Sequence, residues 1–510
     1  MLYRCQVIMN DALLRGSDPD PAAVQGLSRL ASNQDLANKS PASAEDLRTA
    51  PSGVARGTRA FVGDYIDKTS RFSRNANLYV IHVIGMDMIH GSFDVLFNLY
   101  LLAVGFDIRF IGLRLLIGFI ARALTAIPAG LLSDRIGRKA SFILGDGIGA
   151  IIGVIAISTR NEALLLALPA IGALFGNLHH TSEAAFMAEN SKPAERVHLF
   201  AVSGSLRTFS AMTGALIAGL VPAFFIDDFG RVDAYRYATY AGLSLWFLSL
   251  IPALMLRSHE AEERPEKQFR SSAPAGQSPR TSRGLRSIFS GITHPRRIVY
   301  FVITSAFASI AFAIVAPMFA VVLHEGDVHA GEGQIGVMFA VAQLSLAVVT
   351  LGTPLLAARM LRVDAIALTR LAAIPFILGL GLMPLIFDEG GLLLLLFAMS
   401  YVGRVGFLRM ASPLDDSFNM DVLDARERAT NTGLEIAVGS GLSAIAILIG
   451  SRLLDSGDFT TPFLIMAVAS LISTAIYWRV FRRLEISELM KTELESTRDS
   501  QSETAPALAD

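Results

Sequence analysis

The stretch GMDMIHGSFDVLFN (residues 85–98) sets Asp87, His90, Asp94 and Asn98 inside an otherwise apolar run. At about 100° per residue these four side chains fall within an arc of about 80° on a helix, while Ile89, Phe93, Leu96 and Phe97 point elsewhere. Two carboxylates and an imidazole on one stripe can take up and release protons or pair with cations. At the centre of a bilayer each charge costs about 2.5–3.5 kcal/mol even on a lenient scale, so the stripe is expected to face a cavity. The plainer alternative is a polar patch that binds helices together. Other apolar runs carry ionisable residues too: Arg114, Arg122, Asp146, His179, His180, Glu183 and Arg207 in the first half, and Arg370, Arg404, Arg409, Asp415, Asp416 and Glu435 in the second. For any one of them a structural ion pair competes with a ligand contact. His179 and His180 diverge by about 100° on a helix, which argues against a shared metal ion, and no metal or other cofactor is expected.

The elements that position these residues follow from composition. Over 510 residues the chain is 52% hydrophobic with mean hydropathy +0.48, and only 17% of residues are charged. The net charge of −1 gives no reason to expect nucleic-acid binding, and one cysteine, Cys5, excludes an internal disulfide framework. Apolar residues fall in blocks of about 20, enough to cross a bilayer as helix. Twelve spans are expected, near 77–104, 108–132, 140–158, 162–188, 198–226, 234–256, 297–323, 333–357, 364–387, 390–418, 429–453 and 460–481. The fold class is therefore an all-α membrane protein.

A polar stretch divides the spans six and six. The expected organisation is a disordered cytoplasmic tail over 1–75, a six-helix half over 76–256, a cytoplasmic linker over 257–296, a second half over 297–484 and a cytoplasmic tail over 485–510. The segment 61–72 can form a short amphipathic helix on the membrane surface. With the N-terminus inside, inner segments hold about two dozen Lys and Arg and outer loops about five, the expected cytoplasmic excess. The halves echo each other. Arg135 and Arg138 correspond to Arg359 and Arg362 at an offset of 224; Glu189 corresponds to Asp421, and Glu183 to Asp415, at an offset of 232. Parallel six-helix repeats point to a site at their interface.

At GLLSDRIGRK (130–139) the sequence resembles the major facilitator superfamily, whose signature loop between the second and third helices it matches at Gly130, Asp134, Arg135, Gly137, Arg138 and Lys139. The resemblance covers roughly 77–485 and implies a twelve-helix transporter of an uncharacterised bacterial branch. In physical terms Gly130 would let helices approach closely, and Asp134 can face a helix N-terminus. Arg135 and Arg138 can pair with Glu189 and with terminal carbonyls, and Arg196 belongs to the same cytoplasmic gate. Such contacts are expected to form only when that side is closed. The fourth helix lacks the mid-helix Arg of many drug exporters in the family, the fifth lacks the antiporters' Gly-Pro pair, and the sugar-porter signature is missing.

No phosphate-binding loop is present: GDGIGA (145–150) lies in a helical run with no preceding strand. The chain is thus expected to be no enzyme. It reads as a secondary transporter in the inner membrane that moves a small organic solute by alternating access, with protons as coupling ion and the bilayer as its setting. Asp87, His90, Asp94, Asn98, Arg122, Glu183, Arg207, Arg404, Asp415 and Glu435 are the expected substrate and proton pathway. Asp94 is favoured as the proton carrier because it lies midway along its span, and Arg122 and Arg404 are favoured as partners of an anionic group. The alternatives are export of amphipathic compounds and, from another class, a non-transporting sensor or assembly partner on the same fold.

Overall fold

The computed structural model describes residues 72–257, 294–357, 359–388, 390–423 and 425–504. The segment 61–71 and most of the expected linker and N-terminal tail lie outside them. The described chain is helical, with no strand among those residues. The helices are α1 (Arg74–Val104), α2 (Ile108–Ile136), α3 (Arg138–Ser158), α4 (Glu162–Glu189), α5 (Pro193–Phe229), α6 (Arg231–Leu254), α7 (Pro295–Ala313), α8 (Phe319–Glu325), α9 (Glu332–Ala357), α10 (Arg362–Leu382), α11 (Gly391–Met410), α12 (Ser412–Val422), α13 (Ala425–Asp455) and α14 (Thr461–Thr504).

These make twelve passes. The short helix α8 continues α7 beyond a 3₁₀ turn at Ala316–Met318, and α12 continues α11. Eleven passes are long and apolar enough to cross a membrane; α9, 26 residues long, is the remaining one. Observed ends fall within a few residues of the expected spans except at α14, which stays helical to Thr504 through much of the segment expected as a tail.

Local chemistry sets the boundaries. Ser73 caps α1 by accepting from Ala76 N, Asp107 caps α2 through Phe110 N (2.7 Å), and Asn161 caps α4 through Leu164 N (3.0 Å). Gly137 has φ +85°, a conformation costly for any residue with a Cβ, and it breaks the path between α2 and α3.

The first half packs α1 on α5 and α6, α2 on α4, and α3 on α4 and α6; the second packs α7 on α13 and α14, and α10 on α11 and α14. The halves meet along α2 with α13 and α5 with α9. At the latter crossing a Cβ on Gly219 would lie 2.6 Å from the Cα of Gly336, so only paired glycines let the backbones come so close. Two faces result. The termini face carries both described chain ends and the turns at 136–138, 189–193 and 357–362. The far face carries those at 104–108, 229–231, 325–332 and 455–461.

The polar ties between the halves seen among the described residues lie toward the far face. Asn98 Nδ2 donates to Pro317 O (2.9 Å) in the 3₁₀ turn, Tyr235 Oη donates to Glu332 Oε1 (2.5 Å), Arg231 Nε lies 3.4 Å from the same oxygen, and Arg109 Nε pairs with Asp455 Oδ2 (2.6 Å).

Candidate functional site

The stripe on α1 splits into different roles. Asp87 Oδ2 lies 2.9 Å from Arg207 Nε on α5, and the same guanidinium donates through Nη1 to Glu183 Oε1 on α4. Arg207 therefore clasps three helices by bridging two carboxylates. His90 and Asp94 are solvent-accessible although they sit in the interior stretch of α1. His90 stacks at a tilt on Trp246, with ring centroids 5.5 Å apart. Asp94 has no ion pair among the described residues and feels Arg122 electrostatically; it also acts across the interface on Tyr401. Asn98, expected on the wet stripe, is buried and spent on Pro317 of the other half.

A half-open cavity of about 390 Å³ lies beside this stripe. It is walled by α1, α2, α3, α4 and α6, all from the first half, with His90, Arg114, Arg122, Asp146, His179 and His180 as its ionisable lining. The sequence reading put the site at the interface of the halves; this cavity is offset into one of them. Arg114 sits over the Phe97 ring at 4.3 Å, a cation–π contact in place of a carboxylate. Arg122 is exposed. A smaller recess between α4 and α5 is lined by His180, Glu183 and Arg207.

In the second half Arg404 is only 6% exposed. Its guanidinium lies 5.9 Å from the Phe319 ring, its Nε has no hydrogen-bond partner, and no carboxylate pairs with it among the described residues. Asp415 pairs with Arg370 Nη2 at 2.7 Å, and Arg370 lies over the Tyr477 ring. Glu435 accepts from Asn431 Nδ2 (3.2 Å). The side chain of Asp416 is outside the described residues.

The signature loop forms its contacts within the first half. Arg138 Nη1 reaches Asp134 Oδ1 (3.0 Å), and its Nε lies 3.5 Å from Glu189 Oε1. Arg362 and Asp421, the corresponding residues of the second half, form the same pair at 2.5 Å. Each of these pairs lies within one half. Arg196 Nη2 donates to Ala188 O (3.0 Å) near the end of α4. Arg135 is exposed, and neither it nor Lys139 has an ion pair among the described residues. Gly130 does not mark a close approach: a Cβ there would meet nothing within 4 Å. Gly137 is explained by its φ instead.

Sequence reasoning missed His82. It lies about 140° around α1 from Asp87, off the stripe, and is fully buried. Its Nε2 lies 2.8 Å from Asp146 Oδ2, and His179 Nδ1 lies 2.8 Å from the same oxygen. The three donor atoms fall within 4.8 Å of one another, the one such grouping among the described residues. Both contacts are hydrogen-bond lengths. A tetrahedral ion about 2.0–2.1 Å from each donor would hold donors roughly 3.3 Å apart. The spacing of this cluster fits shared protons.

The family model described as Major Facilitator Superfamily matches residues 78–434. Among solved structures, an alanine mutant of the nucleoside transporter NupG aligns with TM-score 0.62 at 16% identity, covering 80% of this chain and 100% of that one. A structure reported for proton dependent oligopeptide transporters gives TM-score 0.61 at 12% identity, covering 82% and 99%. A bacterial homologue of the human lysosomal transporter Spinster, inward-facing and unoccupied, gives 0.56 at 14% identity, covering 82% and 96%. No curated protein sequence matches significantly.

Proposed function

The chain belongs to the major facilitator superfamily, and from that premise we propose that it is a secondary active transporter of a small anionic organic solute, driven by protons through alternating access. That it is a multi-pass membrane protein of a transporter family needs no proposal. The observation that carries the finer reading is Arg404. A buried cation with no counter-charge costs several kcal/mol, a cost relieved when an anion arrives. Arg114 adds a second cation held only by an aromatic face, and Arg122 a third, exposed beside the cavity.

Asp94 is the proton carrier in this reading. It is accessible and has no ion pair among the described residues, whereas Asp87 is held in the Arg207 clasp. Protonation of Asp94 removes a charge facing Arg122, and so biases the balance between states. The test is uptake into vesicles reconstituted with purified protein, over a panel of organic acids and neutral controls, with and without a pH gradient. Asp94→Asn should abolish gradient-driven uptake and leave substrate exchange partly intact, because exchange needs no net proton release. Normal gradient-driven uptake by Asp94→Asn would remove Asp94 from the mechanism. Uptake of neutral solutes alone would remove the anionic assignment.

A further inference from the structure

We propose that His82, Asp146 and His179 form a proton-binding site, separate from Asp94, whose occupancy controls how α1, α3, α4 and α6 pack around the 390 Å³ cavity. The donors and acceptors in this cluster require it whether or not the transported solute is an anion.

His82 Nδ1 lies 2.7 Å from Ser249 O, a backbone carbonyl that can only accept, so Nδ1 carries hydrogen. His82 Nε2 faces Asp146 Oδ2, and so does His179 Nδ1. Tyr79 Oη lies 3.4 Å from His179 Nε2 and can donate to it. One extra proton satisfies every contact in either of two placements: on His82 Nε2, with Asp146 ionised and accepting twice, or on Asp146 Oδ2, which then donates to His82 Nε2 and accepts from His179 Nδ1. Without the extra proton, the His82 Nε2 lone pair faces the Asp146 oxygen at 2.8 Å with nothing between them. Shifting the hydrogen of the neutral His82 to its other nitrogen only moves the gap to the Ser249 carbonyl. The relaxed deprotonated state must therefore part at least one of these contacts.

All three side chains are buried, so parting them is a packing event. The contacts join His82 on α1, Asp146 on α3, His179 on α4 and Ser249 on α6. Asp146 and His179 line the cavity, and Trp246 lines it one turn from Ser249. The charged groups nearest this cluster are the Asp87 and Glu183 carboxylates on α1 and α4 and the Arg207 guanidinium on α5. His90 on α1 and His180 on α4 are the remaining titratable neighbours, and Tyr79 closes the cluster. α3 contributes Asp146 itself, and Ser249 of α6 is not titratable.

Trp246 and Trp478 are the two tryptophans of the chain. In a Trp478→Phe background, a pH titration of purified full-length protein should show one step in Trp246 fluorescence. His82→Gln keeps an N–H toward Asp146 but cannot release a proton, so it should lose the step. His90→Gln should keep it, although His90 is the ring beside Trp246. Loss of the step in His90→Gln with retention in His82→Gln would overturn the proposal. If His82→Gln does not fold, the parent chain decides. With ¹⁵N histidine and ¹³C-carbonyl serine labels, His82 is identified by its bond to Ser249 O. With a ¹³C-carboxyl aspartate label added, one hydrogen should lie between His82 Nε2 and Asp146 on the acid side of the step, on either atom; a bare Nε2 facing an ionised Asp146 there would overturn the assignment. A stoichiometric metal that copurifies with the protein and is absent from His82→Gln would overturn it in favour of a metal site.

Discussion

Tyr235→Phe tests the far-face closure. Tyr235 is fully buried on α6, and its hydroxyl donates to Glu332 Oε1 across the interface at 2.5 Å. Glu332 is itself only 8% exposed and opens α9. A hydrogen bond to a charged acceptor contributes about 1.5–3 kcal/mol. Phenylalanine fills nearly the same volume, so the loss is the bond, not the packing. If the bond exists only while the far face is closed, its removal shifts the balance toward the other state by that amount, roughly tenfold to a hundredfold at about 1.4 kcal/mol per decade. Arg231, 3.4 Å from the same carboxylate oxygen, keeps Glu332 from being left uncompensated and holds the shift toward the lower end. Spin labels at Arg160, in the turn from α3 to α4, and Asp388, in the turn before α11, are exposed on the far face of opposite halves and report the separation by double electron–electron resonance. The long-distance population should grow relative to the short one by about the stated factor. An unchanged distribution in a folded variant would mean that the bond is made equally in both states and is no latch.

Arg207→Ala should lower the thermal stability of the purified protein by about 3 kcal/mol, because it leaves Asp87 and Glu183 facing each other without their shared cation; adding Asp87→Asn should restore part of the loss, and failure to do so would deny the clasp. Asp458 caps α14 by accepting from the Thr460 and Thr461 amides at 3.2 and 2.9 Å. Hydrogen bonding from the Thr461 side chain, with these amides, holds its carboxyl below the usual carboxylate range, so its contribution is present above about pH 4 and is lost as pH falls through the depressed value. Asp458→Ala should cost about 1 kcal/mol at neutral pH and nothing in strong acid, and a difference in melting temperature that persists in strong acid would refute this. For topology, a cysteine probe at Gly331 should react from outside the cell and one at Ser278 should not; the reverse pattern would invert the orientation.

The architecture was legible because a bilayer is a simple solvent. Blocks of about 20 apolar residues must become helices, since no water is present to satisfy an open backbone. The twelve passes and the repeat behind Arg138–Glu189 and Arg362–Asp421 therefore stand in the sequence as hydropathy and spacing. Asp107, Asn161 and Gly137 mark ends in the same way, because capping and positive φ depend on a few neighbouring residues. Periodicity could group Asp87, His90, Asp94 and Asn98 on one face of α1. It could not say that Arg207 would take Asp87, that Pro317 would take Asn98, or that Asp94 would be left accessible, because each partner arrives from another helix. His82 was invisible for the same reason: it lies off the stripe, in a run that reads as plain apolar helix, and has meaning only once α3 brings Asp146 and α4 brings His179 against it. Glu332 carries no signal of its own in the sequence, and becomes a tie between halves only where α6 places Tyr235 beside it. The sequence alone determined which segments form the passes and, α14 apart, where they stop, because those are local free energies summed over contiguous residues. Which charges are paired and which are left unpaired was decided by tertiary structure, because pairing is set by distances of a few ångströms between helices far apart in the chain.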